Sequence, residues 1–479
     1  MSFRKLALIL LETALLLAVV VVLANLRGLL QIATGAADVD QMPWIDVAVR
    51  ALVIVGTFQV TFFFNDLYES RVIRSKHQCS IRLLESCFYT VLLLILVYVA
   101  FDGLDRFVLR LSEPDAGLAR FKTSGVQIVV LSVVVLATAY WYRRGVGLAP
   151  LKTPFTDRLV FIGDGPMSKI LEDELKSRGE PDALVVGYIL PNWTGEEREV
   201  DGKRVLGGYG KIVEIVRKHA ITRVIVALQE RRGNLPVLEL LNCRLKGVRV
   251  EEGELVYERI TGKIAIGKLR PSYLIFSEGF NRSKFNYIFK RALDVLLALF
   301  GIVVSAPIAL VTAILIKLDS RGPVLFSQAR VGKEGRIFTL YKFRSMRVDA
   351  EKDSGPVWAD KDDPRVTRVG RLIRKCRIDE LPQLVNVLKN QMSFVGPRPE
   401  RPFFVEELKR EIPYYMERLV VKPGVTGWAQ INYRYGASKD DALEKLQFDL
   451  YYIKNMSIFL DIIILFRTVK VVLLGFGAR

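Results

Sequence analysis

A chain of 479 residues is long enough for about three domains, and its 69 lysines and arginines against 51 acids leave a formal charge of +18. Hydrophobic residues reach 51% at a mean hydropathy of +0.26, so the charge suits an anionic lipid surface and anionic substrates. No nucleic-acid module accompanies it, which argues against a nucleic-acid partner. Cys79, Cys87, Cys243 and Cys376 form no metal-type pair, and His77 and His219 are the only histidines, which excludes an obvious zinc site and fits a reducing cytoplasm.

The N-terminal third (1–145) is predicted to be a four-helix transmembrane bundle with spans at 6–26, 47–64, 83–101 and 126–142. No small-residue cleavage site follows the first span, so it reads as an anchor. Arg4 and Lys5 precede the first helix; Arg71, Arg74, Lys76 and Arg82 lie between the second and third; Arg143 and Arg144 follow the fourth. The loop 27–45 carries one arginine against two aspartates, and 102–125 is mixed. This pattern places both ends of the bundle in the cytoplasm. Glu12 and Glu85 fall inside apolar helices, either as functional acids or as groups paired within the bundle or facing its interface.

After Pro154 the pattern becomes soluble α/β, and 155–265 is predicted as a Rossmann-like domain. Arg158-Leu-Val-Phe-Ile-Gly163-Asp-Gly165 reads as a strand feeding a glycine turn and a helix over 167–176. Further strands are expected at 183–190, 224–228 and 247–250. The dinucleotide fingerprint is incomplete: Ser168 stands at the third glycine position, and Leu190-Pro191-Asn192 offers no acid for a ribose hydroxyl. A working NAD site is therefore not expected. A sugar-nucleotide dehydratase, which would also need a Tyr-x-x-x-Lys pair, is disfavoured. The role expected is regulation or dimer packing.

From Val295 to Ile316 the chain runs 22 residues without a charge, flanked by Lys290, Arg291 and Lys317, with Pro307 near its middle. That length spans a bilayer, yet basic flanks on both sides give no direction, and a central proline bends a helix. A spanning helix and one that re-enters the same leaflet both fit these residues.

Downstream, Lys342 and Arg344 alternate with apolar residues, as a half-buried strand presents two cations to one face. Asp379 and Glu380 precede the apolar-periodic Leu381, Leu384, Val385, Val387 and Leu388, with Pro382 in the first turn. One reading makes them cap and dipole partner of a helix. The other makes Asp379, ionised beside Arg374 and Arg377, a nucleophile toward phosphorus, with the neighbouring acid holding Mg²⁺ against substrate phosphates. Arg398, between Pro397 and Pro399, has a stiff backbone suited to a bidentate phosphate contact. The C-terminal 458–474, interrupted by Asp461, Arg467 and Lys470, reads as an interfacial amphipathic helix rather than a span.

From about Phe285 to the C-terminus the chain resembles the catalytic domain of the bacterial polyprenyl-phosphate phosphoglycosyl transferases. The motifs are Ser320-Arg-Gly-Pro-Val-Leu-Phe326, Lys342-Phe-Arg-Ser-Met346, Asp379-Glu-Leu-Pro-Gln383, Met392-Ser-Phe-Val-Gly-Pro-Arg-Pro399 and Lys422-Pro-Gly-Val-Thr-Gly-Trp428. The resemblance implies a catalytic Asp379-Glu380 dyad that also binds Mg²⁺, phosphate-binding Arg374 and Arg398, and the family's lysine at Lys342; Arg344 joins them from its strand spacing. It implies a mainly helical catalytic domain (283–479) on the cytoplasmic face of the bacterial inner membrane. There a re-entrant helix (about 288–318) is kinked at Ser305 and Pro307. The family's kink is usually Ser-Pro, whereas here Ala306 separates the two residues. The activity implied is transfer of a sugar 1-phosphate from a UDP-sugar to undecaprenyl phosphate, releasing UMP through a phosphosugar-aspartate intermediate, in a multi-pass, homodimeric protein that initiates exopolysaccharide, O-antigen or capsule synthesis. The alternative is a nucleotide-sensing membrane regulator with a non-catalytic transferase-like domain; retention of Lys342, Arg374, Asp379, Glu380 and Arg398 together favours the enzyme. Which sugar is moved is not written in the sequence.

Overall fold

The computed structural model describes residues 9–22, 44–68, 79–94, 133–143, 157–178, 183–266, 279–350 and 363–473, apart from short gaps within them. They divide into two compact units, 1–157 with 175–184, and 158–174 with 185–479.

In the first unit, helices α1 (Ile9–Val22), α2 (Trp44–Phe64), α3 (79–91) and α4 (133–143) share one core. Leu16, Phe58, Phe62, Leu83 and Val135 are buried there together. The outward faces are apolar too: Leu11, Leu52, Leu84, Phe88 and Trp141 are exposed. Apolar residues thus lie on both the packed and the outward faces of these helices. Of the two intrahelical acids, Glu12 is fully buried and takes Nε and Nη2 of Arg143 at 2.8 and 2.7 Å, while Tyr68 donates to it at 2.7 Å. Glu12 is thus paired within the bundle; Glu85 is exposed. The loops 27–43, 69–78 and 102–125, on which the orientation expectation rests, lie outside the described residues.

The second unit opens with an α/β layer: β1 (Asp157–Ile162), α5 (Pro166–Arg178), β2 (Ala183–Leu190), β3 (Arg198–Val200), β4 (Lys203–Gly208), α6 (Ile212–Lys218), β5 (Arg223–Val226), α7 (Val237–Leu245), β6 (Arg249–Glu252) and α8 (Gly253–Thr261). The sheet order is β3-β4-β2-β1-β5-β6, with parallel pairs β2–β4, β1–β5 and β5–β6 and an antiparallel β3–β4 hairpin. The expected strands are present. β3 and β4 were not expected, because they are short and rich in charge rather than apolar. At the first turn Gly163 has φ 89°, and a Cβ there would meet Leu228 at 2.7 Å. Ser168, fully buried, donates its hydroxyl to the Gly165 carbonyl at 2.7 Å, so it closes the turn on itself.

The rest of the unit is mainly helical: α9 (Lys284–Asp319), β7 (Leu325–Val331), β8 (Ile337–Phe343), α10 (Arg368–Lys375), α11 (Gln383–Leu388), β9 (Ser393–Val395), α12 (Pro402–Glu411), β10 (Gly424–Thr426), α13 (Trp428–Asn432), α14 (Lys439–Lys454) and α15 (Ile458–Leu473). Helix α9 runs 36 residues without interruption through Pro307, about 54 Å at 1.5 Å per residue. It is long and apolar enough to cross a membrane, with 11% of its most apolar window buried. Its two ends nevertheless engage the same domain. Near the start, Lys290 reaches Asp461 of α15 at 2.6 Å, Arg291 donates to the Val387 and Leu388 carbonyls, and Asp294 accepts from Ser393 and Phe394. At the far end Ile316 is buried with Phe343 and Ile373, and Asp319 accepts from the Val369 amide. Between them Leu299, Phe300, Val303, Val304 and Ile308 are exposed.

The α/β layer is tied into this helical core. Ile264 and Ile266 sit in the same cluster as Leu446, Leu450 and Tyr452. Lys454, buried, meets Glu258 of α8 at 2.6 Å, and Trp428 donates to the Gly262 carbonyl at 2.9 Å.

Candidate active site

The stretch carrying the dyad is shaped by two local breaks. Thr367 caps α10 through the Gly370 amide, and the helix ends in Arg374 and Lys375, cations that complement its C-terminal dipole. The chain then reverses at Arg377, whose φ of 56° is left-handed, and makes one 3₁₀ turn, Ile378–Glu380. Pro382 holds the N-cap position of α11, so neither carboxylate caps that helix. Both are carried on a tight turn between two helices.

Strand β8 brings the lysine. Phe338 and Leu340 point into the core, and Lys342, two residues on, continues that inward face toward the turn. Asn386, fully buried on α11, fixes the distance between the two: it accepts from the Tyr341 amide at 3.1 Å and donates to the Thr339 carbonyl at 2.7 Å, acting as an extra edge for the strand.

Three cations converge on one oxygen. Oε1 of Glu380 lies 3.0 Å from Nη2 of Arg398, 3.4 Å from Nζ of Lys342 and 3.6 Å from Nη1 of Arg377. Burial alone would raise the Glu380 pKa, but Arg398, Lys342 and Arg377 outweigh it and hold the carboxyl well below the usual range. Asp379 has the opposite balance. It is buried, accepts no hydrogen bond from any described residue, and burial raises its pKa against the pull of Lys342, Arg398 and Arg374. One carboxylate is therefore clamped and the adjacent one is left with its lone pairs available. Burial likewise pushes the Lys342 ammonium down, with Glu380 opposing.

The structure brings Asp379, Glu380, Lys342 and Arg398 together, with Arg374 near enough to act on Asp379 but in no ion pair with either carboxylate among the described residues. It does not bring Arg344. Strand β8 ends at Phe343, so the alternation stops one residue short. The Arg344 guanidinium instead holds the chain leaving α9, donating to the Ser320 and Arg321 carbonyls at 2.8 Å and to the Ser320 hydroxyl at 3.0 Å. Gly322 (φ 126°) makes room for it, since a Cβ there would fall 2.0 Å from Nη1. Ser305 and Pro307 lie within α9, with Pro307 exposed.

The sequence reading missed the supports. Arg418 and Asp449 form a buried ion pair at 2.8 Å, and Lys290, Tyr452 and Asp461 form a second buried polar group. Lone charges inside the apolar periodicity of α14 and α15 were the only signal available.

A family model described as bacterial sugar transferase matches residues 285–475, and one described as a CoA-binding domain matches 64–241. The UDP-N-acetylgalactosamine-undecaprenyl-phosphate N-acetylgalactosaminephosphotransferase of Aeromonas hydrophila is 47% identical over 240 residues, covering 50% of this chain and 56% of that protein. The undecaprenyl-phosphate glucose phosphotransferase of Komagataeibacter xylinus is 34% identical over 359 residues, 72% of this chain and 65% of that protein. These matches span less than two thirds of either relative. The exopolysaccharide production protein PSS of Rhizobium leguminosarum bv. phaseoli is 44% identical over 190 residues, 38% of this chain but 94% of that protein. The match to 94% of that protein, together with the sugar transferase model lying over the segment that bears the clamped glutamate and the open aspartate, places this chain in the bacterial sugar transferase family, the polyprenyl-phosphate phosphoglycosyl transferases.

Proposed function

We propose that this protein transfers a sugar 1-phosphate from a UDP-sugar to undecaprenyl phosphate at the inner face of a bacterial cytoplasmic membrane, opening the assembly of an exopolysaccharide or related polymer. The observation that carries the reading is the split dyad: Glu380 held by Lys342, Arg377 and Arg398, beside an Asp379 that accepts no hydrogen bond from the described residues. A carboxylate with open lone pairs in a cationic, partly desolvated site suits nucleophilic attack on phosphorus. Asp379 Oδ would attack the β-phosphorus of the UDP-sugar, breaking the bond to the bridging oxygen and releasing UMP. An oxygen of undecaprenyl phosphate would then attack the acyl-phosphate, returning Asp379 as a carboxylate. Arg398 and Lys342 are placed to offset phosphate charge, with Arg374 from the side.

Mg²⁺ fits the Asp379 carboxylate, since it takes one or two protein carboxylates and fills its shell with phosphate oxygens and water. It fits Glu380 less well, because Oε1 is already shared by three cations. When bound, the ion would neutralise diphosphate charge.

The membrane arrangement proposed rests on α9. Attachment of both its ends to one domain, through Lys290 and Asp294 at the start and Ile316 and Asp319 at the other end, supports a re-entrant helix whose exposed middle lies in one leaflet. The apolar outer faces of α1–α4 support a multi-pass bundle. The α/β domain, with a self-closed Ser168 turn, is assigned packing within a homodimer rather than cofactor chemistry.

Membranes carrying the protein, incubated with a panel of labelled nucleotide sugars and undecaprenyl phosphate, should label the lipid with one sugar, and Asp379→Asn should abolish that labelling. Near-normal labelling by the variant would overturn the assignment.

A further inference from the structure

The loop that carries Arg398 is fastened at four successive carbonyls by four different donors. The Pro397 carbonyl takes the Gly424 amide at 2.9 Å, Arg398 takes Nη2 of Arg418 at 3.0 Å, Pro399 takes Nη1 of Arg330 at 3.1 Å, and Glu400 takes the Val331 amide at 2.9 Å. Two of these donors are backbone amides that any residue could supply. Arg418 is different, because it is a charged side chain buried to 6% exposure. Its fork is fully directed: Nη1 donates to the Tyr415 hydroxyl at 2.7 Å, and Nη2 lies 2.8 Å from Oδ2 of Asp449, itself 2% exposed on α14.

Burying an ion pair to gain stability is a poor bargain, since apolar residues of similar volume do as well or better. The pair therefore needs another reason. Its geometry supplies one: among the described residues, the only main-chain carbonyl to which the Arg418 guanidinium donates is that of Arg398, whose own guanidinium is 3.0 Å from Glu380. A planar fork anchored at Tyr415 and Asp449 fixes the peptide plane of Arg398 in a way a flexible side chain would not.

We propose that Arg418, held by Asp449 and Tyr415, is a positioning residue that sets the orientation of Arg398 and thereby the phosphate-binding geometry of the dyad; this rests on the function proposed above. Among the described residues Arg418 pairs with neither Asp379 nor Glu380, and its effect on them passes through Arg398.

A double-mutant cycle on the full-length protein in lipid particles tests it, with sugar-phosphate transfer to undecaprenyl phosphate as the readout. Arg418→Lys keeps the charge opposite Asp449 but cannot serve the hydroxyl and the carbonyl together, and should lower kcat/KM by about 10- to 100-fold, the scale of an ångström-level misplacement. In an Arg398→Ala background, already impaired, the same change should alter kcat/KM by less than about twofold, because residues acting as a unit are not additive. If Arg418→Lys does not fold, judged by thermal unfolding, the charge-free pair Arg418→Met with Asp449→Leu carries the same cycle. Persistence of the full factor in the Arg398→Ala background overturns the positioning role alone, as does wild-type activity in Arg418→Lys or in Arg398→Ala. A wild-type protein that labels no undecaprenyl phosphate with any sugar overturns the proposed function and this inference with it.

Discussion

Nη2 of Arg398 lies 3.0 Å from Oε1 of Glu380, and this contact sets the chemical difference between two adjacent acids. Lys342 and Arg377 crowd the same oxygen, so Glu380 serves as the anchor of the cationic cluster. Asp379, one residue earlier on the same 3₁₀ turn, remains available for reaction.

The two acids should therefore fail in opposite ways. Asp379→Asn is expected to lose turnover by at least about 10³-fold while the thermal midpoint holds or rises, since a buried carboxyl with a raised pKa costs stability when ionised. Glu380→Gln takes the shared counter-charge from three half-buried cations and should destabilise by roughly 1–3 kcal/mol. Turnover assays beside thermal unfolding of both variants check this; equal loss of stability in the two would contradict it.

Asp449 should give a pH signature. Burial, partly opposed by Arg418, pushes its carboxyl up to about 6, with Glu400 raising it and Lys445 lowering it further. Because the folded value exceeds the unfolded one, the folded protein binds the extra proton. Its stability relative to the unfolded chain thus increases as pH falls from about 6 toward 4, by up to about 3 kcal/mol. Activity moves the other way, because protonation removes the charge that holds Arg418. Denaturant unfolding at pH 7 and pH 5 should show a larger stabilisation in the wild type than in Asp449→Asn, where only acids such as Asp379, also raised by burial, still contribute, and the variant's acidic limb of activity should be shallower than the wild type's.

Where the chain is cut should matter. A chain beginning near Asn281 keeps the dyad, the cations and α9 and is expected to transfer sugar phosphate in detergent or lipid particles. It loses Glu258, leaving buried Lys454 without its 2.6 Å partner, together with Ile264 and Ile266 from the core. A chain beginning at Gly253 retains all three and should unfold several degrees higher. Identical midpoints would show that this contact contributes nothing.

Topology is testable at the two ends of α9. Cysteines replacing Tyr287 and Leu318, which are 48% and 78% exposed, leave the Lys290–Asp461 pair intact. Both should react with a membrane-impermeant reagent from the cytoplasmic side only. Labelling from opposite sides would make α9 a spanning helix.

Much of this architecture is legible in the residues themselves. An uncharged run of 22 residues cannot be hidden from water in a small domain, and Gly163-Asp-Gly165 after an apolar strand dictates a strand-turn-helix unit. The dyad and its arginines could be located from the order of short motifs. What tertiary structure alone decided is which charges meet. Lys290 finds Asp461 171 residues away, and Lys454 finds Glu258 across 196. Arg344, expected at the phosphate site, is diverted to the carbonyls of Ser320 and Arg321 because its strand stops at Phe343. Periodicity reports which face of one element is apolar. The partner of a buried charge is chosen by packing between elements, where an unpaired ion costs far more than any local preference can offset.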